Sequence, residues 1–259
     1  MKNTLDFPGM LRLIDERATA FRAAMTSAAS LDVQVPTCPE WTLLDLVRHL
    51  GGVQRRWGDI VAAGPVDTAP DNEAMELGED APADLEGLLA WSAESTDHLL
   101  NALREAGPDR GCWTWWGDSN SPETAGAVAR HQVTEATVHT YDAQLAASGA
   151  VQPLPDEAAY DGLDEFLSTN CVFPEAWPFK PAIVEYHAAD GRAWRMRLSE
   201  DGAAVTRRDG TEVEEPSVSA RATAAEFILV FYGRLPVETL RVEGDARILQ
   251  QLADWEPGA

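Results

Sequence analysis

Two histidines and a glutamate recur at steps of four residues in the segment HQVTEATVH, which spans residues 131–139. In an α-helix a step of four returns a side chain to nearly the same face, so His131, Glu135 and His139 would all point one way. Two imidazoles and one carboxylate commonly bind a catalytic zinc ion and leave a position open for water or substrate. Such pairs are also common on ordinary polar helix faces, so spacing alone leaves both interpretations open. If the segment is an ordinary polar helix face, His131 covers an exposed shoulder of the helix.

A metal site that uses Glu135 and His139 needs a third ligand from another helix. His49 is the best candidate, because it lies in a strongly amphipathic segment whose apolar face would turn toward a bundle interior. His98 lies beside Asp97 and is expected to be solvated. The other two histidines that could supply a ligand are His131 and His187.

Other reactive or aromatic residues have simpler structural uses. The segment CWTWWG holds three of the nine tryptophans, and we interpret them mainly as packing between two helices. Trp115 and Trp116 are the better candidates for lining a pocket, where they would favour an apolar electrophile. Cys38 precedes Pro39 at an expected helix start, where the helix dipole could lower a thiol pKa, but we interpret it as structural.

Composition excludes several classes of partner. The chain has 20 Lys and Arg against 43 Asp and Glu, a formal charge of −23, so its average field repels nucleic acid and anionic membrane surfaces. Three dispersed cysteines suggest no disulfide framework and favour a reducing cytoplasm. The charged N-terminus does not resemble a signal peptide, and no apolar stretch is long enough to span a membrane. A small anionic substrate is compatible with local arginines or a metal ion.

The first half of the chain is predicted to be a four-helix bundle over residues 1–150. A length of 259 residues allows two modest domains, and composition changes after Gly149. Residues 64–83 are rich in Pro, Gly and acidic residues and are predicted to be a surface loop. The four helices are expected over residues 7–30, from the capping-box pair Thr42 and Asp45 through Trp57, over 83–106, and from Ser121 and Pro122 to just before Gly149.

The second half, residues 151–259, is predicted to be a smaller α+β domain with an antiparallel sheet. A helix is expected over 156–168, followed by AIVEYHAADG and RAWRMRLSEDGAAVTRRDG, which alternate and turn like strands and predict a β-hairpin. TAAEFILVFYGRLP then predicts a helix, VETLRVEGD a short strand, and DARILQQLADW a final helix.

Two motifs resemble a known family. VPTCPEWTLLDLVRHLGGVQRRW and RHQVTEATVHTYDAQLA are similar to the N-terminal signature of the mycothiol-dependent maleylpyruvate isomerase family, a branch of the DinB-like four-helix metalloproteins found in actinobacteria. The segment from Ser219 to Trp255 resembles the family's second domain, which is similar to sterol-carrier folds. The resemblance therefore covers nearly the whole chain.

The resemblance implies a metal site and a thiol cosubstrate. Carried over by motif, the ligands are His49, Glu135 and His139; zinc is favoured, and nickel, cobalt or iron suit the same donors. The cation would favour the thiolate of mycothiol, which attacks a small electrophile. Arg234, in FYGRLP, resembles a family position that could bind an anionic substrate, although a solvated helix-end cation is an equal interpretation.

This chain departs from the family pattern next to the expected ligands. The family commonly has HETAVHRWDA where this chain has VTEATVHTYDA, so Thr134 and Tyr141 replace a His and a Trp, whereas Asp142 is kept. The ligands survive these changes, but the substrate pocket and the exact reaction are open.

The leading hypothesis is a metal-dependent, mycothiol-using enzyme of the isomerase or S-transferase type, acting on a small molecule as a monomer or small homo-oligomer. The alternatives are a non-catalytic protein that binds a metal or a small ligand, and a hydrolase that activates water at a metal without any thiol.

Overall fold

The computed structural model describes residues 5–68, 78–211 and 214–255. They divide into two compact units. The first comprises the described residues up to Trp115 together with Glu123–Gly162, and the second comprises Trp116–Pro122 together with the residues from Leu163 onward. Within the described ranges, none of the helices combines the length and the apolar character that crossing a membrane requires.

The first unit contains the four predicted helices. They are α1 (Phe7–Ser27), α2 (Leu43–Ala63), α3 (Leu85–Ala106) and α4 (Ala125–Ser148). Helix α1 packs mainly against α4, and α2 packs mainly against α3. The predicted bundle is thus confirmed, with a core of aliphatic and aromatic side chains that includes Leu13, Ile14, Phe21, Leu43, Leu46, Leu50, Leu88 and Leu99.

Local sequence signals set most of the helix ends. The capping box predicted at the start of α2 is present, with Thr42 and Asp45 each bonding the other's backbone N–H. Helix α3 ends at Gly107, as predicted. Helix α4 begins later than Ser121 and Pro122, because the Thr124 side chain caps it and the Ala125 N–H donates to the Arg110 carbonyl.

A short hairpin between α1 and α2 was not predicted. Strands β1 (Gln34–Val35) and β2 (Cys38–Thr42) pair antiparallel. Cys38 therefore begins a strand, and the expectation that it lies at a helix start is wrong. The prolines in this segment interrupt helical structure as expected, but they did not reveal the pairing. Of the predicted loop, residues 64–68 and 78–83 contain no helix or strand, and residues 69–77 lie outside the described residues.

The second unit is an α+β domain around a five-stranded sheet. Helix α5 (Asp156–Thr169) starts in the first unit and ends in the second. The strand order is β5-β4-β3-β6-β7, and all pairings are antiparallel except β3 with β6. The elements are β3 (Ala182–Ala188), β4 (Ala193–Ser199), β5 (Gly202–Arg207), β6 (Val218–Ala222), α6 (Ala224–Phe231), β7 (Arg241–Gly244) and α7 (Arg247–Ala253).

The β3–β4 hairpin was predicted correctly, and β6 was missed. Alternation along β3 and β4 puts Val184, Tyr186 and Met196 on an apolar face and Glu185 and Arg195 on the opposite, polar face. Strand β6 pairs with β3, although two strands and a long connection separate them along the chain. A local sequence pattern cannot reveal such a pairing.

Candidate metal centre

Helix α4 is unusual because many of the side chains it buries are polar. They include His131, Gln132, Thr134, Thr137, His139, Thr140 and Asp142. Buried polar groups are costly unless they find partners, so a helix with this many is expected to carry a polar site inside the bundle.

The structure brings His49, Glu135 and His139 together. One ligand atom of each lies within 4.8 Å of the others, and the His139 Nε2 is 3.5 Å from the Glu135 Oε2. His49 comes from α2, whereas Glu135 and His139 are one turn apart on α4. His139 is buried and the other two are partly exposed.

These donors fit a divalent transition metal. Two atoms each about 2.1 Å from a tetrahedral ion lie roughly 3.4 Å apart, so the His139 and Glu135 pair needs almost no adjustment. Two nitrogens and one carboxylate oxygen match the ligand set of catalytic zinc sites and leave one position for a further ligand. The Glu135 and His139 spacing on one rigid helix holds both donors on the same face.

A buried carboxylate orients His139. The His139 Nδ1 lies 3.0 Å from the Asp142 Oδ2, and the Thr37 hydroxyl donates to the Asp142 Oδ1 at 2.6 Å. Asp142 is completely buried, so it acts in a low-dielectric setting. We assign the Nδ1 proton to this hydrogen bond, which leaves the Nε2 lone pair available to an ion. Sequence reasoning missed the role of Thr37, because this residue comes from the β1–β2 turn.

The electrostatics of the centre favour a cation. Burial alone would raise the pKa of Glu135, but a hydrogen bond with His139 and the charges of three nearby histidines lower it to about 2. Burial alone would lower the pKa of His139, but Asp142 and Glu135 raise it to about 9. The Asp142 and Glu135 carboxylates therefore stabilise positive charge beside them, and a bound metal ion would take the place of a proton on His139.

Trp41 covers the histidine pair. Its ring centroid lies 4.7 Å from that of His49 and 6.3 Å from that of His139, and the two imidazole centroids are 5.0 Å apart. An aromatic ring in this position restricts both imidazoles and limits access of water to one side. Trp41 was not singled out from the sequence, where only its place before the α2 cap marks it.

His131 does not belong to the three-residue cluster. It is 9% exposed and its ring centroid lies 6.1 Å from that of Trp57 and 6.0 Å from that of Trp115. The expectation that His131 covers an exposed shoulder is therefore wrong, because its side chain is buried next to two tryptophans. Its charge contributes to the low pKa of Glu135.

The other candidate residues lie in different settings. His98 is largely exposed, as expected, and its Nε2 is 2.8 Å from the Asp59 Oδ1. Trp115 is 49% exposed, whereas Trp116 is buried in the second unit and its indole N–H donates to the Pro122 carbonyl. Arg234 also lies in the second unit, just beyond α6, where its side chain donates to the Tyr232 carbonyl.

A pocket of about 610 Å³ opens beside His49 within the first unit. Arg48 is the arginine that lines this pocket. Its Nε is buried and has no hydrogen-bond partner among the described residues. Sequence reasoning did not consider this arginine, although it is adjacent to the best histidine candidate. The pocket is lined by Glu40, Trp41, Asp45, Arg48, His49, Gly78 and Glu79.

The second unit has an apolar cavity of about 250 Å³ between its sheet and helices. Aromatic and aliphatic side chains form most of its wall, including Phe166, Phe173, Tyr186, Phe231, Leu240, Leu249 and Trp255. Such a lining suits a small apolar molecule.

Comparison with known proteins identifies related sequences and folds. Residues 11–144 match the family model for the mycothiol maleylpyruvate isomerase N-terminal domain, and residues 157–251 match the model for the MDMPI C-terminal domain. No curated protein is significantly similar in sequence.

Two solved structures share the fold. A mycothiol-dependent maleylpyruvate isomerase has 13% identity and a TM-score of 0.58, and a mutant of such an isomerase, with a histidine replaced by alanine, has 12% identity and a TM-score of 0.60. Each alignment covers 92% of this chain and 93% of the other.

Proposed function

Because the chain belongs to the mycothiol maleylpyruvate isomerase family, a family of enzymes, we propose that it is a metal-dependent enzyme that uses mycothiol as a cosubstrate. The observation that carries the proposal is the convergence of His49, Glu135 and His139. Zinc is the proposed ion, and nickel, cobalt and iron suit the same donors. The proposed location is the reducing cytoplasm, where a low-molecular-weight thiol stays reduced.

The chain's own residues would prepare the centre for this chemistry. A divalent cation bound there supplies the positive charge that favours a thiolate over a thiol at neutral pH. Asp142 and Thr37 hold His139 in one orientation and tautomer, and Trp41 restricts the imidazoles and excludes water on its side. The protein need not provide its own nucleophile, because the cosubstrate brings one.

The proposed reaction is attack of the mycothiol thiolate on an electrophilic carbon of a small substrate. In isomerisation the sulfur adds to an activated cis double bond, the new single bond rotates, and the sulfur leaves to give the trans isomer. In S-transfer the carbon–sulfur bond remains. The name of the matched family supports isomerisation, and S-transfer is the second proposed outcome. Thr134 and Tyr141 mark the places where this chain departs from the common pattern.

Arginine side chains would bind an anionic substrate. Arg48 lines the pocket beside His49 and has an unused buried N–H within the described part of the chain, so it is the proposed clamp for a carboxylate. Arg234 is a second proposed clamp, which rests on the family resemblance. Trp115, which is half exposed, is proposed to contact an apolar part of the substrate or thiol, and Trp116 is a weaker proposal because it is buried.

Thiol consumption and alkene isomerisation, measured together, test the proposal. With at least one member of a panel of activated cis alkenes and alkyl electrophiles, wild-type protein loaded with zinc should either consume mycothiol, as S-transfer requires, or convert the cis alkene to the trans isomer in a mycothiol-dependent reaction that leaves the thiol concentration unchanged. Metal-free protein and His49→Ala should fall to the uncatalysed rate, whereas His98→Ala should match wild type because His98 lies outside the cluster. Turnover without added thiol would instead support metal-assisted hydrolysis.

The apolar cavity of the second unit favours one alternative, a protein that binds a small ligand without catalysis. In that case no electrophile is turned over, and a small apolar ligand raises the melting temperature of the metal-free protein as much as that of the metal-loaded protein. Leu249→Trp, which fills the cavity, should abolish that shift.

A further inference from the structure

The polar face of the five-stranded sheet contains a second pocket, of about 390 Å³. The strand register builds it: Glu185 on β3 lies opposite Arg195 on β4 and Ser219 on β6, and His187 lies opposite Arg221. None of these residues belongs to the metal centre. The pocket is lined by Glu185, His187, Arg195, Arg208, Glu214, Glu215, Pro216, Ser219, Arg221, Glu243 and Gly244.

A buried ion pair forms the floor of this pocket. Arg195 is 2% exposed and Glu185 is 3% exposed. The Glu185 Oε1 accepts hydrogen bonds from the Nε and Nη2 of Arg195, and its Oε2 accepts one from the Arg208 Nη1 at 3.0 Å. The His187 Nε2 lies 2.9 Å from the same Oε2. The carboxylate is therefore saturated and cannot accept further hydrogen bonds.

Arg195 retains an unused donor. Its Nη2 also donates to the Glu214 carbonyl, but its Nη1 is buried and has no hydrogen-bond partner within the described ranges. A buried guanidinium N–H without an acceptor is costly, and native proteins usually supply one. Because Arg195 lines the pocket, a ligand oxygen there would be such an acceptor.

Arg221 adds a second cation to the pocket. It is exposed, and in the described part of the chain it forms no ion pair. Two of the carboxylates that line the pocket, those of Glu214 and Glu243, each pair with an arginine that does not line it: Glu214 with Arg197, at 2.7 Å, and Glu243 with Arg241, at 3.3 Å. Arg195 and Arg221 therefore line the pocket without competition from the carboxylates of Glu214 and Glu243.

We propose that this pocket binds a small oxyanion, either a carboxylate or a phosphate group, between Arg195 and Arg221. A guanidinium fork matches the geometry of both anions and binds them through charge-assisted hydrogen bonds. Ser219 precedes Arg221 by two residues on β6 and also lines the pocket, so its hydroxyl can donate a further hydrogen bond. The chain's overall charge of −23 opposes anion binding elsewhere on the surface, so binding here would be local and specific.

Calorimetric titration of the full chain tests this inference with two probes, inorganic phosphate and malonate. Wild type should bind one of them saturably, and the preferred probe identifies which oxyanion the pocket takes. Arg221→Gln should weaken that binding about tenfold, the loss of one charge-assisted contact. Arg221 is exposed, so an unchanged melting temperature should show that this variant folds.

Arg247→Gln is the matched control, because Arg247 is exposed in the same unit and pairs with Asp245, and neither of these residues lines the pocket. It should bind the probe as wild type does. Absence of saturable binding to both probes would overturn the proposal and leave Arg195 and Glu185 as a structural pair. Equal weakening by both variants would also overturn it, since that indicates a general charge effect. Binding that persists undiminished in Arg221→Gln would overturn it as well, because the anion then binds elsewhere, such as at the metal centre.

Discussion

At the scale of single residues, two hydrogen bonds of the buried Asp142 carboxylate explain how His139 is held in place. Asp142 could be noticed from the family resemblance, but its hydrogen bond with His139 and the one it accepts from Thr37 required the fold. Thr37 is 105 residues away in sequence, in a turn without helical or strand periodicity. The convergence of the three proposed ligands could be predicted, because the four-residue step on a helix and the amphipathic setting of His49 are local properties.

Asp142→Asn is expected to weaken zinc binding by about 10–100-fold, because the amide keeps the shape of the side chain but loses the charge that orients His139. Competition with a chromogenic chelator measures the affinity. Asp59→Asn is the matched control, since it removes the carboxylate beside a solvated histidine, His98, and should leave the affinity unchanged. Equal affinities for wild type and Asp142→Asn would show that the Asp142 charge does not contribute to zinc binding.

Arg48→Gln is expected to raise KM for an anionic electrophile by about tenfold, the loss of one charge-assisted contact, without changing metal content. Steady-state kinetics with an anionic and a neutral electrophile would show this difference. Arg56→Gln, which lies on the same helix but does not line the pocket, should behave as wild type. A KM unaffected by Arg48→Gln would show that the anion binds through another residue, such as Arg234.

At the scale of elements, most helices and the short strand β7 were predictable, whereas β1, β2 and β6 were not. Helix α2 begins at the predicted capping box and α3 ends at the predicted glycine, because those signals act within a few residues. Strands β1, β2 and β6 have five residues or fewer and exist through pairing with a partner. A strand's stability depends on cross-strand neighbours, so local sequence patterns carried no signal for them.

Close packing of α2 on α3 gives a prediction about Gly51. A Cβ at this position would collide with the Trp91 ring, although alanine favours an α-helix by about 1 kcal/mol over glycine. Gly51→Ala should therefore lower the free energy of unfolding by about 1–3 kcal/mol. Chemical denaturation measures the change. Gly111→Ala, whose added Cβ meets nothing closer than 3.7 Å, should be nearly neutral, and a stabilised Gly51→Ala would contradict the packing described.

At the scale of the whole molecule, length and composition predicted two domains, and hydrophobic periodicity predicted the different fold classes of the two halves. They could not predict where polar side chains converge, because that depends on how helices and strands are arranged. The pocket beside His49 and the one on the sheet's polar face both combine residues from separate elements. The proposed anion-binding roles of Arg48 and Arg195 therefore follow from the pockets that they line, not from the sequence pattern.

Metal binding is expected to stabilise the folded chain, because the three ligands come from two helices that converge only in the native state. With free zinc about 1,000-fold above its Kd, the gain is about 4 kcal/mol. Scanning calorimetry should therefore show a higher melting temperature with zinc than with a chelator. His49→Ala should show little difference between the two conditions, and a wild type that is equally stable in both would contradict this expectation.

Metal content tests the central claim most directly. Mass spectrometry of protein purified without a histidine tag should find about one divalent ion per chain, because the described residues contain one group of three side chains that could hold a metal. His49→Ala and Glu135→Gln should lose it, whereas His98→Ala should retain it. Wild type that remains metal-free after incubation with zinc, nickel, cobalt and iron, or His49→Ala that keeps a full equivalent, would contradict a catalytic metal at His49, Glu135 and His139.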